Sequence, residues 1–349
     1  VTRLYRLVVL PLLLFALPVP CLLGCQPRPN AGNNSVTLQS PPLLPESAQN
    51  SASQPDPPGP GGSDSAPLFP TTSPTPVPPR TVQPIEWVGS FNLEWFSLGG
   101  RKPRNSTDLQ RVAALIQETG VALYGLQEVS DDGVMNSLIA YLPGWKYYVG
   151  TSGRQQRCAI LWDATRVGVR RPVEWGDIND GLEANAGNLR APLVAEAKIG
   201  KFDFTFIVLH LKAMQDPDSV RKRRTQLRRL RARLDEYLAT RPDKDVIIVG
   251  DFNDTADSAA MKELTGGRKG GVGFIVTGAK LPKTAVTYMN PAGRIDHVVI
   301  SSPFVSQEEW NTKAETLPKP KGAERKVYDE SISDHLPTWS GFDTTQDRD

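Results

Sequence analysis

Proline distribution sets the first limit on what this chain can fold into: 19 of its 31 prolines fall within the first 84 of 349 residues. Proline fixes φ and donates no backbone hydrogen bond, so a segment this dense in it supplies neither helix interiors nor sheet interiors. Residues 26–84 hold 16 of these prolines among Ser, Gly, Asn and Thr, with one aromatic residue, Phe69, and few charges. Such a stretch buries too little apolar surface to offset its ordering entropy, and it is expected to be a disordered, semi-rigid tether. About 265 residues from Val82 onward remain for a folded unit, enough for one large core.

Ahead of the tether, Arg3 and Arg6 precede an apolar run from Leu7 to Val19 that Pro11 and Pro18 interrupt. The run is too short for a comfortable membrane span and has the charged start, apolar middle and small-residue end of a secretory signal. It closes on Leu22-Leu23-Gly24-Cys25, which resembles the bacterial lipobox, whose cysteine is lipidated and becomes the mature N-terminus. Residues 1–25 are therefore expected to be a lipoprotein signal peptide, placing the chain in the bacterial cell envelope, exported and tied to a membrane through Cys25. A catalytic domain is expected over residues 85–342 and a flexible tail over residues 343–349. Three cysteines exclude a disulfide-stapled scaffold, and their spacing matches no usual zinc site. Nothing in the sequence calls for an obligate protein partner, and a monomer is expected.

The net charge of +2 conceals an uneven distribution. Eight basic residues lie between Arg221 and Arg233 with no acid among them; set aside, they leave 32 of the 40 basic residues against 38 acidic ones. On a helix expected over Ser219 to Thr240, Leu227, Leu230, Leu234, Tyr237 and Leu238 repeat at helical spacing as a buried face. The cations crowd the other sides, either as a solvated face or as a surface for an anionic partner, nucleic acid or membrane.

From Val82 short apolar runs alternate with helical patterns. Strands are expected over Ile85–Phe91, Ala122–Leu126, Tyr147–Val149, Cys158–Trp162, Val167–Val173, Leu193–Lys198, Phe202–Leu209 and Asp245–Val249, with helices over Leu109–Glu118 and Val134–Leu142. Strands with interspersed helices and several adjacent strand pairs predict a layered α/β sandwich.

Polar residues cluster where these apolar runs stop. The three histidines read as strand-end residues beside carboxylates: His210 after Phe206-Ile207-Val208-Leu209, His297 in Arg294-Ile295-Asp296-His297, and His335 in Ser333-Asp334-His335. Leu126-Gln127-Glu128 and Gly250-Asp251-Phe252-Asn253 end the same way. Buried strands terminating in such groups bring oxygen and imidazole to one sheet edge, where open α/β sheets form sites. Carboxylates and amides without cysteine favour a hard cation, Mg²⁺, Mn²⁺ or Ca²⁺. With histidines whose basicity neighbouring carboxylates raise, they suit displacement at phosphorus.

The order Ser90-Phe91-Asn92-Leu93-Glu94, Leu126-Gln127-Glu128, Leu209-His210-Leu211-Lys212, Gly250-Asp251-Phe252-Asn253, Ile295-Asp296-His297 and Ser333-Asp334-His335 resembles the endonuclease/exonuclease/phosphatase superfamily of DNase I-like proteins. The resemblance runs from about Ile85 to Phe342 and implies a four-layer α/β sandwich, two packed mixed sheets flanked by helices. It implies a metal site at Glu128, assisted by Asn92 and Asp334. Asp251 and Asn253 match the pair that orients the attacking water and the scissile phosphate, and His335 matches the histidine on that phosphate, with Asp296 as its carboxylate partner. His210 matches the second histidine, near the leaving group, and Arg190 a phosphate-contacting arginine. Asn92 and Asn253 also suit turns, Arg190 suits a solvated surface, and Glu94 and His297, which match no catalytic role, are expected to be structural.

One departure bears on mechanism. Where the DNase I-like branch has a glutamate paired with the second histidine, this chain has Arg154-Gln155-Gln156-Arg157. Gln156 can orient His210 through a hydrogen bond but cannot stabilise its cation. The function expected is a metal-dependent phosphodiester hydrolase, a secreted, lipid-anchored nuclease of low sequence specificity with nucleic acid as substrate. The same site could instead serve a phosphatase or a phospholipid- or sphingomyelin-type phosphodiesterase, or be the inactive site of a surface binding lipoprotein.

Overall fold

The computed structural model describes residues 81–183, 189–267 and 271–347. The signal segment, Cys25 and all of the tether before Thr81 lie outside the described residues. Two mixed sheets pack face to face. The first runs, in spatial order, Trp310–Thr316, Thr338–Asp343, Ile85–Ser97, Leu123–Val129, Arg157–Asp163 and Trp145–Val149. The second runs Gly273–Val276, Asp296–Ser302, Val246–Asp251, Phe202–His210, Leu193–Ile199 and Val167–Glu174. The central pair of each is parallel, Ile85–Ser97 with Leu123–Val129 and Phe202–His210 with Val246–Asp251. These strands are covered on both faces, which is why they read as continuous apolar runs.

Three apolar clusters hold four layers together. Between the sheets, Val88, Leu123 and Ile160 meet Phe206, Val208, Ile247 and Val249. Outside the first sheet, the helices Ser106–Thr119 and Asp132–Ile139 lay Leu109, Val112, Ile116, Met135 and Leu138 on Phe91, Tyr124 and Leu126. Outside the second, the long helix Pro217–Ala239 lays Leu227, Leu230, Leu234 and Leu238 on Ile207, Leu209 and Ile248. Local chemistry sets the helix ends. Asn105 and Asp108 form a capping box and Gly120 closes the first helix at φ 70°, while Asp216 caps the long helix ahead of Pro217. The helix Gly322–Ser331 gave no sequence signal because it buries only Tyr328 and Ser331.

Two expectations change. Residues 343–347 are not a loose tail: the Thr344 hydroxyl donates to the Gln83 carbonyl, Lys201 N donates to the Thr344 carbonyl, and Asp203 N donates to Asp347. The chain end thus zips the fold's first residues to the second sheet. The basic helix is also not a row of unpaired cations. Arg223 and Arg231 are fully buried. Arg223 donates to the Lys212 and Met214 carbonyls and to Gln215, and it meets Asp254 at 3.4 Å. Arg231 donates to the Leu264 and Val272 carbonyls and pairs with Asp235. Arg221 and Lys222 share Asp218, Arg224 pairs with Glu263, and Arg229 donates to the Ile178 and Asp180 carbonyls. The acids missing inside the run come from its flanks and from distant segments, so most of its charge braces the fold.

Gly125 sits at a close approach of the two sheets. A Cβ there would lie 2.3 Å from a Val249 methyl and 2.9 Å from a Val208 methyl. Both valines are stiff at χ1 and fully enclosed, so neither can turn away. Gly125→Ala is expected to lower stability by about 1–3 kcal/mol in urea titration. The Gly125→Ala/Val249→Ala double variant should lose less than the sum of its two single changes, because the second opens the space that the first overfills.

Candidate active site

The parallel strands deliver their last residues to one edge shared by both sheets. In the second sheet His210, Asp251 and Asp296 stand side by side in register. Asp296 begins its strand, but that strand is antiparallel to Val246–Asp251, so its start meets its neighbour's end. The reading of all three histidines as strand-end residues is corrected accordingly. His210 ends a strand, His297 is the second residue of one, and His335 lies in the loop before Thr338–Asp343. The first sheet contributes Asn92 and Glu128, beside register shifts between Asn92 and Phe96 and between Leu126 and Val129. Such bulges re-aim side chains at sheet ends. Glu128 accordingly holds φ 62°, and Asn253 holds φ 53°, left-handed backbone that costs energy in a non-glycine residue and recurs at functional sites.

Asp251 is the hub. Its Oδ1 accepts from Asn253 N at 2.8 Å and its Oδ2 from Asn92 Nδ2 at 3.1 Å, a bond between the sheets. That second oxygen also lies 3.7 Å from His210 Nε2 and 3.8 Å from His335 Nε2. His335 Nδ1 and Asp296 Oδ2 share a hydrogen bond of 2.9 Å. Burial, and then the Asp296 carboxylate, push the Asp251 carboxyl up. Burial alone would lower the His335 imidazole, but Asp296, Asp251 and Asp334 outweigh it and raise it. The centre therefore holds an imidazolium beside a carboxyl poised to take a proton.

His210 differs. Its Nδ1 is enclosed with no hydrogen-bond partner among the described residues, so the expected bond from Gln156 is not made. Gln156 instead closes a turn, its N–H donating to the Gly153 carbonyl. Burial, and then the Arg190 guanidinium, hold the His210 imidazole well below its ordinary value. It is a neutral ring and a poor proton donor. Arg190 is buried and spends Nε on the His210 carbonyl and Nη2 on the Leu211 carbonyl. These bonds correct the picture of a solvated cation: Arg190 braces the backbone that presents His210, and it also lines a cavity of about 620 Å³ with Trp95, Arg154, Gln156 and Lys212.

Asn92, Glu128 and Asp334 gather on the other side of the hub. Glu128 Oε1 faces Asn92 Nδ2 at 3.4 Å, and Glu128 Oε2 accepts from Trp95 N. Asp334 Oδ1 is enclosed without a partner among the described residues, and burial lifts its carboxyl to about 6. An orphaned carboxylate oxygen near a second carboxylate fits a hard divalent cation; Asn92 turns its Nδ2 to Glu128 and Asp251 and its Oδ1 to Glu94 N, so it would offer an oxygen to that cation only with its amide turned. Glu94 and His297, expected to be structural, are engaged in bonds within the fold. Glu94 takes Lys102 Nζ and the Asp334 N–H, and His297 Nε2 meets the Asp254 carbonyl at 2.9 Å.

Sequence reasoning missed the groups that hold these side chains in place. The Thr287 hydroxyl accepts from both Ile295 N and Asp296 N at 3.0 Å, while its carbonyl accepts from Leu336 N. One buried threonine thus ties the Asp296 strand to the His335 loop. The Ser333 hydroxyl donates to the Asn92 carbonyl and accepts from His335 N. Arg104 clamps the Leu93, Glu94, Glu330 and Ile332 carbonyls. Tyr288 sets its ring 4.8 Å from that of His335. No local pattern marks these residues, because their partners, the Ser333–His335 bond apart, lie eight or more residues away.

Comparisons with known proteins agree with this layout. The profile of the Endonuclease/Exonuclease/phosphatase family matches residues 89–335. A Bos taurus protein described as "Endonuclease/exonuclease/phosphatase family domain-containing protein 1" is 24% identical over 297 residues, 77% of this chain and 51% of that protein. The chain thus spans about half the length of the curated relative it matches. Truncated Caenorhabditis elegans TDP2 is similar in structure with a TM-score of 0.55 at 20% identity, over 74% of this chain and 97% of that one. D. rerio TDP2 complexed with single strand DNA product is similar with a TM-score of 0.57 at 14% identity, over 74% and 99%. At these identities the structural likeness speaks for the fold.

Thr287→Val is expected to leave the Ile295 and Asp296 N–H groups unpaired, at about 1–3 kcal/mol each in thermal unfolding. Its turnover should fall as the Asp296–His335 pair loosens. Thr287→Ser, which keeps the acceptor, should restore most of both; a loss in Thr287→Ser as large as in Thr287→Val would show that the acceptor hydroxyl does not carry the effect.

Proposed function

The chain belongs to the Endonuclease/Exonuclease/phosphatase family, and on that premise we propose that it is a metal-dependent phosphodiester hydrolase, a secreted, lipid-anchored nuclease of low sequence specificity. The observation that carries this reading is the placement of Asp251 between two imidazoles and across from Asn92, with an oxygen-rich pocket alongside. Asp251 takes the proton of a water that Asn253 orients, Asn253 being held by the Leu211 carbonyl. His335, kept cationic by Asp296, donates from Nε2 to a phosphate oxygen and meets the charge that develops there. His210 offers a neutral N–H near the departing oxygen, fixed by Arg190 through its carbonyl. A divalent cation, Mg²⁺ before Mn²⁺ or Ca²⁺, held by Glu128, Asn92 and Asp334 would neutralise phosphate oxygens and stabilise the leaving group.

The 620 Å³ cavity supports nucleic acid as the substrate: Trp95 offers an aromatic surface, and Arg154, Arg190 and Lys212 bring cations to the same wall. This wall, not the long basic helix, is where the anionic strand would lie, because the helix's cations are largely taken. The lipid-anchored placement rests on the Leu22-Leu23-Gly24-Cys25 segment alone.

Plasmid DNA, RNA, sphingomyelin and an inositol phosphate, each offered to the full chain with Mg²⁺, test the reading. DNA or RNA should be cut, with activity lost on adding EDTA and restored by Mg²⁺. Asp251→Asn should lower turnover by about 10²-fold or more while leaving the affinity for uncut DNA nearly unchanged. Turnover of sphingomyelin or inositol phosphate alone would move the assignment to a small phosphoester, and turnover of none would favour a binding lipoprotein.

A further inference from the structure

A second cavity, of about 560 Å³, opens beside the site. One wall is the segment that follows Asn253, with Thr255 and Ala256; the other includes Arg294, which runs directly into the strand begun by Asp296. Thr255 lies two residues from Asn253, and Arg294 two residues from Asp296. Two residues of extended chain span at most about 7 Å. A substrate whose scissile phosphate sits on Asp251 and Asn253 therefore has this cavity within reach of its next substituent.

Two cations line the cavity, Lys283 and Arg294. Lys283 is exposed. Arg294 is half-buried and its guanidinium is only partly used. Nη2 donates to the Leu281 carbonyl at 3.3 Å, whereas Nη1 is enclosed with no partner among the described residues. Burial alone moves its pKa, downward, so no carboxylate among the described residues compensates its charge. The one acid on the wall, Asp257, is exposed, and its Oδ1 already accepts from the Thr255 hydroxyl. An enclosed cationic donor without an acceptor is costly to the folded state. The chemistry that relieves it is an anion with several acceptor oxygens, and the guanidinium fork matches phosphate best.

We propose that this cavity is a second phosphate subsite, in which Arg294 and Lys283 bind a non-scissile phosphate of the substrate. That phosphate is either the neighbouring one of a polynucleotide or a terminal monoester. The proposal rests on the phosphodiesterase reading above and adds to it a preference for substrates that carry more than one phosphate.

The test compares three 4-nitrophenyl esters of thymidine 5′-phosphate with the full chain and Mg²⁺: one with a free 3′-hydroxyl, one with a 3′-phosphate, and one extended by an internal 3′,5′-linkage to a second thymidine. The wild-type chain is expected to prefer at least one two-phosphate ester by about tenfold or more in kcat/KM, expressed mainly in KM. Arg294→Gln and Lys283→Gln should each cut that preference to about threefold or less. Lys283 is exposed, so its variant separates loss of the subsite from misfolding. Preference for the 3′-phosphate ester alone assigns the subsite to terminal phosphates, and preference for the linked ester assigns it to internal ones. Indifference of the wild type to a second phosphate, or a preference that survives both substitutions, overturns the subsite. If no ester is turned over, the phosphodiesterase reading fails, and calorimetric titration with inorganic phosphate decides the subsite separately. Binding that Arg294→Gln abolishes supports it, and absence of binding, or binding that Arg294→Gln leaves intact, overturns it.

Discussion

Asn92 and Asp251 stand on different sheets, 159 residues apart in sequence, and meet at 3.1 Å. For that bond to form, two twisted sheets must approach each other closely at one edge, and the approach is bought by the missing side chain of Gly125 against Val249 and Val208. From that contact the rest of the centre follows. Asp251 is fixed on one oxygen by the turn at Asn253 and on the other by Asn92, so both imidazoles have a stationary carboxylate to face. The packing between the sheets is therefore part of the site's geometry, and a change in the core reaches the chemistry through Asn92.

Much of this was legible in the sequence, for a physical reason. A strand buried on both faces must be apolar throughout, so the first polar residue after Phe206-Ile207-Val208-Leu209 or Ile247-Ile248-Val249 marks a sheet edge without ambiguity. His210 and Asp251 stand out in this way, and Glu128 follows one residue behind the buried Gln127. The pairing of His335 with Asp296 came only through the resemblance, because nothing in either segment names the other. Thr287 and Arg104 left no trace at all. A threonine hydroxyl that accepts two backbone N–H groups looks, in sequence, like any threonine, and an arginine that clamps four carbonyls looks like a surface cation.

The basic helix shows the same limit from the other side. Counting charges along a window treats neighbours in sequence as neighbours in space. In the fold Arg223 reaches Asp254 and the carbonyls of the loop that follows His210, and Arg231 reaches the Leu264 and Val272 carbonyls. Both guanidiniums therefore tie loops of the second sheet to its covering helix. Arg223 in particular braces the segment between Lys212 and Gln215, which joins His210 to the helix. What read as a surface for a partner is largely scaffolding behind the site.

Charge across the centre is divided in a way that assigns the two halves different work. On the His335 side each buried carboxylate has a hydrogen-bonded or cationic neighbour: Asp296 has His335, and Asp251 has Asn92, Asn253 and the same imidazole at 3.8 Å. On the Glu128 side carboxylates outnumber cations: His335 Nε2 lies 3.8 Å from Asp334 Oδ1 as it does from Asp251, so one imidazolium faces both. Lys102 is engaged by Glu94, and Asp334 keeps an enclosed oxygen with no donor among the described residues. A bare phosphate would be repelled from that half and drawn to the other. A divalent cation reverses the sign where the carboxylates are in excess, so one phosphate group can be held from both sides at once, by the imidazolium and by the cation. On the proposed reading, the excess carboxylates Glu128 and Asp334 are thus not a defect of the site but the half of it that a bound cation would complete.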